Sequence, residues 1–83
     1  MQTYYPEIVK IKDVLNQTSW SKSTLYVRIN QGLFPTPIPL GARAVGYLQS
    51  EVTAIVKAMV ASSSNEQIKT LVQQLTAQHR EIQ

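Results

Sequence analysis

The sequence predicts one mainly α-helical domain that carries a small β-hairpin. Three observations support this prediction: two short helical segments are separated by about three polar residues, a proline-rich segment and an apolar segment flank a Gly-Ala-Arg turn, and two amphipathic segments follow. With 83 residues, the chain is too short for two domains that would each bury a core. A chain of this size buries only a little over ~60% of its unfolded surface, so its stability should be small.

The composition leaves few ways to build a catalytic or metal site. The chain has no Cys, one His (His79) and one Asp (Asp13). These residues cannot form a zinc site, a Ser-His-Asp triad or a Cys-His pair, and a two-carboxylate site would need distant residues to converge. We therefore expect no enzyme activity, no cofactor, no bound metal and no small-molecule substrate.

The formal net charge of +3 is concentrated in the first half of the chain. Residues 10–43 contain five Lys and Arg against one Asp, whereas the charges of residues 44–83 cancel. Such a surface suits a phosphate-bearing partner, although an ordinary solvated surface explains the charge equally well. Residues 2–10 are polar and unlike a signal peptide, and the longest apolar stretch, 54–61, contains a Lys and is too short to cross a bilayer. We expect a cytoplasmic protein with no membrane contact.

The first segments of the chain predict a strand, a helix and a turn. Residues 8–11 are mostly β-branched and predict a brief strand or an extended lead-in. Residues 12–17 can form a short helix with Val14 and Leu15 directed inward, and residues 18–20 interrupt it. A second helix follows at once, and this spacing predicts a helix-turn-helix.

The second helix should begin after Ser21, a favourable N-cap, and end at Gly32, where a left-handed residue is needed. At 100° per residue, Leu25 and Ile29 share the face that would pack on the first helix. The opposite face is polar and nearly uncharged, which suits contacts with base edges, although an ordinary solvated face is as good an explanation. It comprises Ser23, Val27 and Asn30, with Tyr26 and Lys22 on its flank.

A β-hairpin is predicted next. Three alternating prolines keep residues 34–40 extended and able to pair along one edge only. Residues 41–43 form the turn, and residues 44–48 return as the second strand. Arg43 lies near the tip, where it could enter a narrow minor groove or simply belong to a charged turn.

The remaining residues predict two amphipathic helices separated by three serines. Ser50 should cap the third helix, with Glu51 in its first turn. The fourth helix should span residues 65–82, with a capping box of Ser63 and Glu66 or of Ser64 and Gln67. Apolar residues line one face of each helix: Val52, Ile55, Val56, Met59 and Val60 in the third, and Ile68, Leu71, Val72, Leu75 and Ile82 in the fourth, with His79 along the same line as a surface residue.

Three runs of residues resemble the AlpA family of small phage and prophage DNA-binding regulators. They are Thr-Ser-Trp-Ser-Lys-Ser-Thr-Leu-Tyr at 18–26, Gln-Gly-Leu-Phe-Pro at 31–35 and Leu-Gly-Ala-Arg-Ala-Val-Gly-Tyr at 40–47. The run Gly-Ala-Arg-Ala-Val-Gly at 41–46 is the most specific. The resemblance implies a winged helix-turn-helix, MerR-like and excisionase-related, in residues 1–61. Residues 62–83 then form a C-terminal helix that packs on the same domain or pairs two chains, and we favour packing within the chain.

The resemblance also implies where DNA binds. The second helix would lie in the major groove, and the wing around Arg43 would contact the adjacent minor groove or backbone. This chain departs from the family in two ways. The family often has a basic residue where Asn30, Thr36 and Pro39 stand here. It also commonly has a glycine in the turn where this chain has Trp20 preceded by Ser19, and this difference suggests that Trp20 has joined the core or a partner contact. The candidate DNA-binding residues are Ser21, Lys22, Ser23, Thr24, Tyr26, Val27, Arg28, Asn30 and Arg43. Among them, Ser23, Tyr26 and Asn30 should discriminate bases, whereas Lys22 and Arg28 should contact phosphates.

The leading hypothesis is a sequence-specific transcriptional regulator that binds double-stranded DNA, self-associates on tandem sites and contacts an integrase or RNA polymerase. An excisionase that bends attachment-site DNA would use the same domain and stays open. A protein-interaction module, with the helix at 65–82 as its binding surface, is a third hypothesis from a different class.

Overall fold

The computed structural model describes the backbone of residues 7–82 and the side chains of residues 7–78. Its elements, in chain order, are β1 (Ile8–Val9), α1 (Ile11–Thr18), α2 (Lys22–Asn30), β2 (Ile38–Pro39), β3 (Val45–Leu48), α3 (Gln49–Val60) and α4 (Asn65–Ile82). This architecture is mainly helical with a small antiparallel sheet, as predicted, and it is compatible with a winged helix-turn-helix. The predicted places of His79 and Ile82 on the face of α4 lie outside the described side chains.

Local hydrogen bonds define both ends of α1. Lys10 is extended, and its backbone N–H donates to the Asp13 carboxylate at 3.2 Å, so the helix begins one residue earlier than predicted. At the other end, the Thr18 hydroxyl donates to the Val14 carbonyl at 2.9 Å. Ser19 then adopts a left-handed conformation with φ of 61°, which turns the chain toward α2. A left-handed conformation favours glycine, so Ser19 is conformationally strained here.

The predicted ends of α2 are confirmed. The Ser21 hydroxyl oxygen accepts the backbone N–H of Thr24 at 3.2 Å, as an N-cap does. Gly32 has φ of 76° at the other end. The N–H of Leu33 donates to the Arg28 carbonyl at 2.9 Å, which is the hydrogen bond that closes a helix with a left-handed glycine.

Three short strands form one sheet in the order β1-β3-β2, with both pairs antiparallel. β2 and β3 form the predicted hairpin, called the wing below, and the N–H of Leu40 donates to the Ala44 carbonyl at 2.8 Å beside its turn. The extended segment predicted for 34–40 contributes only two residues to the ladder. Phe34 and Pro35 are buried instead, because the chain passes through the core before it reaches the sheet.

One hydrophobic core joins all four helices to the sheet. Trp20 and Tyr47 each form a T-shaped pair with the ring of Phe34, at centroid distances of 5.8 and 5.9 Å. The buried members are Val14, Leu25, Leu33, Phe34, Tyr47, Val52, Ile55, Ile68 and Val72.

Two predictions for α3 are wrong. Ser50 is not its N-cap: β3 runs directly into the helix, which begins at Gln49 after an extended, buried Leu48 with no side-chain cap. Glu51 does lie in the first turn, as expected, but it is buried. The second wrong prediction is that Val60 belongs to the buried apolar face. Val60 is 80% exposed, because it lies at the edge of that face in the last turn, where the chain leaves the core.

The start of α4 matches the second of the two predicted capping boxes. The backbone N–H of Ser64 donates to the Gln67 side chain at 2.8 Å, and the N–H of Gln67 donates to the Ser64 hydroxyl at 3.2 Å. Ile68 and Val72 are buried in the common core, and Leu71 and Leu75 are half-buried against it. Contacts of α4 with its own chain therefore cover the described part of its apolar face, whereas pairing of two chains stays untested.

Candidate nucleic-acid interface

The exposed face of α2 is the centre of the candidate site. Because Leu25 is buried and Ile29 half-buried, the helix directs its opposite side outward. Tyr26 and Val27 are 46% and 51% exposed, although both side chains are large and mostly apolar and could have packed in the core. The exposed candidates on this helix are Lys22, Ser23, Tyr26, Val27 and Asn30, as predicted.

The two hydroxyl groups at the start of α2 already interact with each other. The Ser21 hydroxyl donates to Thr24 Oγ1 at 3.0 Å while its oxygen caps the helix. Ser21 is therefore occupied in holding the first turn. Thr24, which is half-buried, still has its own O–H, which can donate to an external acceptor.

A groove of about 420 Å³ separates α2 from the wing. Lys10 and Lys22 contribute to its lining, so two cations lie beside it. Its other lining residues are mostly apolar, and they include Tyr26 and Tyr47. Burial, with a smaller contribution from the nearby Tyr26, raises the pKa of Tyr47, so its hydroxyl stays protonated well above neutral pH. Lys10 was not among the candidate residues predicted from the sequence, although it belongs to the basic segment 10–43.

A second groove, of about 430 Å³, lies on the other flank of α2, between this helix and the start of α4. Ser23, Thr24 and Arg28 line it from α2, and Gln31 and Asn65 contribute amide groups. Sequence reasoning also missed Gln31 and Asn65. No local pattern could have indicated Asn65, because only tertiary packing brings α4 to this groove.

Arg28 differs from the other candidates on α2 because it is half-buried. Its guanidinium carbon lies 5.3 Å from the centroid of the Trp20 ring, within the range of a cation–π contact. Trp20 is itself half-buried against the core, as its place in the turn suggested.

Arg43 lies in the wing turn, within an exposed run from Gly41 to Val45. The structure therefore places the α2 candidates on one helix and Arg43 on a separate element that follows it, with the first groove between α2 and the wing. Whether each of these residues contacts DNA stays a prediction.

Two features of other functional classes are missing from the part of the chain that the structure describes. No helix there has the length and hydropathy of a membrane span. Within the same residues, His, Cys, Asp and Glu side chains nowhere gather in threes as a metal site would require.

Comparison with known proteins identifies the family. Residues 7–58 match the model of the prophage CP4-57 regulatory protein, AlpA. A relative from Enterobacteria phage P4, described as uncharacterized protein ORF88, is 36% identical over 53 residues, which are 64% of this chain and 60% of that protein. No solved structure matches the chain. The matched residues extend from β1 into α3 and include the helix-turn-helix and the wing, and so the chain belongs to the AlpA family of prophage regulatory proteins.

Proposed function

We propose that the protein is a sequence-specific transcriptional regulator, acting in the bacterial cytoplasm, whose α2 helix lies in the major groove of DNA. One observation carries the proposal: the outer face of α2 is uncharged along its middle, and a groove with at least one cation lies on each side of it. The major groove of DNA has the matching arrangement, with base edges at its floor and a phosphate backbone along each wall.

The roles of the side chains follow from this placement. Ser23, Tyr26 and Asn30 would face base edges, where an amide can pair with adenine and hydroxyls can donate or accept. Val27, half-exposed on the same face, would contact a thymine methyl. These residues account for sequence preference, because contacts with phosphates carry no sequence information.

Phosphates would be held in the two grooves. Lys10 and Lys22 beside the wing would contact one backbone, and Arg28 beside α4 would contact the other. The protonated hydroxyl of Tyr47 and the O–H of Thr24 add neutral donors at these two places. The exposed wing would then place Arg43 in the neighbouring minor groove, where a narrow groove concentrates negative potential.

A gel-shift titration with DNA from the region flanking the gene, at two salt concentrations, tests the proposal. We expect Lys22→Ala to weaken binding to all sequences alike and to flatten the log–log salt slope by about 1. Asn30→Ala should relax the preference at one base pair, with a loss of about 1–3 kcal/mol on the preferred base. Lys57→Ala, an exposed cation on α3 away from both grooves, is the matched control and should leave affinity unchanged. A change of sequence preference in Lys22→Ala would contradict the assigned roles.

The wing is tested separately. Arg43→Ala should cost on the order of 1–3 kcal/mol of specific binding and leave the melting curve unchanged, because this side chain is exposed. Unchanged affinity would remove the wing from the interface. Strong bending at closely spaced sites in the same titrations would favour an excisionase over a regulator.

The number of chains on each site is proposed to be one, with contacts between neighbours forming only on tandem sites. Burial of Ile68 and Val72 within their own chain supports this, since these side chains would otherwise need a partner helix. The five basic residues of segment 10–43 then limit the salt slope to about −4.5 for one chain. A steeper slope with a dimeric mass that Leu75→Asp abolishes would favour pairing through α4.

A further inference from the structure

Arg28 and Trp20 form a contact that the proposed recognition of DNA does not by itself require. Arg28 belongs to α2 and Trp20 to the turn before it, and the guanidinium carbon is 5.3 Å from the indole centroid. No acidic side chain pairs with Arg28 among residues 7–78, which are the ones whose side chains the structure describes. The indole ring is therefore the described group that holds this cation.

The Trp20 ring is itself held in place by the core. Trp20 and Phe34 form a T-shaped pair with a centroid distance of 5.8 Å and an interplanar angle of 74°. Phe34 is 1% exposed and contacts Tyr47 on its other side. The backbone N–H of Trp20 also donates to the Thr18 hydroxyl at 3.3 Å. Arg28 thus lies against a ring whose orientation is set by buried neighbours.

A cation–π contact uses the charge of the guanidinium and consumes none of its N–H donors, which can still bind a phosphate in pairs. A free arginine loses considerable rotamer freedom when it binds, and a side chain already held by a ring loses less. A fixed aromatic partner should therefore strengthen a phosphate contact without touching the phosphate.

The groove beside Arg28 suits an anion. Its lining includes the hydroxyl of Thr24 and the amides of Gln31 and Asn65, with one cation and no carboxylate. The described lining therefore offers donors and contains no negative charge that would repel a phosphate.

We propose that Trp20 is a positioning residue for DNA binding: its ring holds the Arg28 guanidinium toward a backbone phosphate in the groove between α2 and α4. This inference rests on the proposed function. It adds that Trp20, which packs against the core and is not a candidate DNA contact, sets part of the affinity for DNA of any sequence.

A double-mutant cycle tests the inference. Affinity for labelled DNA would be measured by fluorescence anisotropy for the wild type, Trp20→Leu, Arg28→Gln and the double variant. We expect Trp20→Leu to weaken binding about two- to five-fold on specific and unrelated DNA alike, as loss of a cation–π contact would. In the Arg28→Gln background the same change should have almost no effect. Equal losses in both backgrounds would show that Trp20 acts only through folding, and would overturn the proposal.

Fluorinated tryptophan provides a second variant that keeps the fold. The chain has a single Trp, so an analogue supplied during expression replaces only this ring. Fluorine atoms withdraw electron density from the ring face with little change in its volume, and they weaken the attraction for a cation. We expect affinity to fall stepwise with the number of fluorine atoms, and to stay constant in the Arg28→Gln background. Constant affinity with Arg28 present would also overturn the proposal.

Lys22→Ala separates this inference from the proposed function. If Lys22→Ala weakens DNA binding while the Trp20 variants do not, the positioning role is wrong and the interface stands. If neither Lys22→Ala nor Arg28→Gln affects binding, the proposed interface itself is wrong, and the inference fails with it.

Discussion

Gly46 leaves room over β3 for two side chains, those of Ile8 in β1 and of Leu40, the residue that follows β2. A Cβ at this position would lie 2.5 Å from Ile8 Cγ2 and 2.9 Å from Leu40 Cδ1. Favourable carbon–carbon contacts lie at about 3.5–4.0 Å, so Gly46→Ala would push Ile8 away by roughly 1 Å and Leu40 by somewhat less. Overpacking of this size typically costs about 1–3 kcal/mol.

Because Gly46 lies in β3, between β1 and β2, relief of the clash would displace a strand of the wing or rotate the two side chains outward. We expect Gly46→Ala to lower the free energy of unfolding by about 1–3 kcal/mol in urea titrations followed by circular dichroism. Ile8 is already 47% exposed, so Ile8→Ala alone should lower the free energy of unfolding by less than the same substitution at a fully buried site. Combined with Gly46→Ala, it removes the closest contact and should recover much of the loss.

Gly41→Ala is the matched control. A Cβ there meets nothing within 4 Å, and the residue needs no left-handed conformation, so this change should be neutral or slightly stabilising. The reasoning is refuted if Gly46→Ala is as neutral as Gly41→Ala, or if the Ile8→Ala and Gly46→Ala losses simply add.

Three further predictions concern stability. Ser19→Gly and Ser62→Gly should each raise the free energy of unfolding by about 0.5–1 kcal/mol, because these serines have φ of 61° and 59°; a loss in urea titrations would contradict the argument. Leu25→Ala, at a fully buried site, should lower the free energy of unfolding by roughly 2–5 kcal/mol, which is enough to unfold a small domain. Val60→Ala, at an 80% exposed site, should change it by less than about 0.5 kcal/mol in the same assay. The free energy of unfolding should also fall as pH rises from about 10 toward the raised pKa of Tyr47, because in this range the folded state keeps the Tyr47 proton and the unfolded state loses it. This part of the fall should disappear in Tyr47→Phe. A pH profile that is the same in the wild type and in Tyr47→Phe would refute the argument.

Much of the helical framework could be predicted because its signals are local. Ser21 caps α2 through a residue three positions away, and Gly32 ends that helix by its own backbone conformation. The Ser64 and Gln67 box at α4 is local in the same sense. The family resemblance also depended on short runs of residues, and the match over residues 7–58 confirmed it.

Local signals failed where a strand or a neighbouring helix decided the outcome. Ser50 has the right chemistry for an N-cap, yet β3 pairs through Leu48 and runs directly into α3, so the helix begins before Ser50 is reached. Val60 continues the apolar periodicity, but it is 80% exposed. Periodicity indicates which residues could be buried, and only the neighbouring elements decide which of them are.

The sequence by itself determined the helix-turn-helix, the hairpin and the uncharged outer face of α2, because these depend on residues close together in the chain. Tertiary structure alone decided that Lys10 lies beside the wing, that Asn65 reaches the second groove and that the Arg28 guanidinium lies over the Trp20 ring. The positions of Lys10 and Asn65 depend on how β1 and α4 pack against the core, and the Arg28 contact depends on the packing of Trp20 against Phe34. The physical reason is that a side chain's partners across the core are set by the packing of several elements at once, whereas caps and periodicity are set within a single turn.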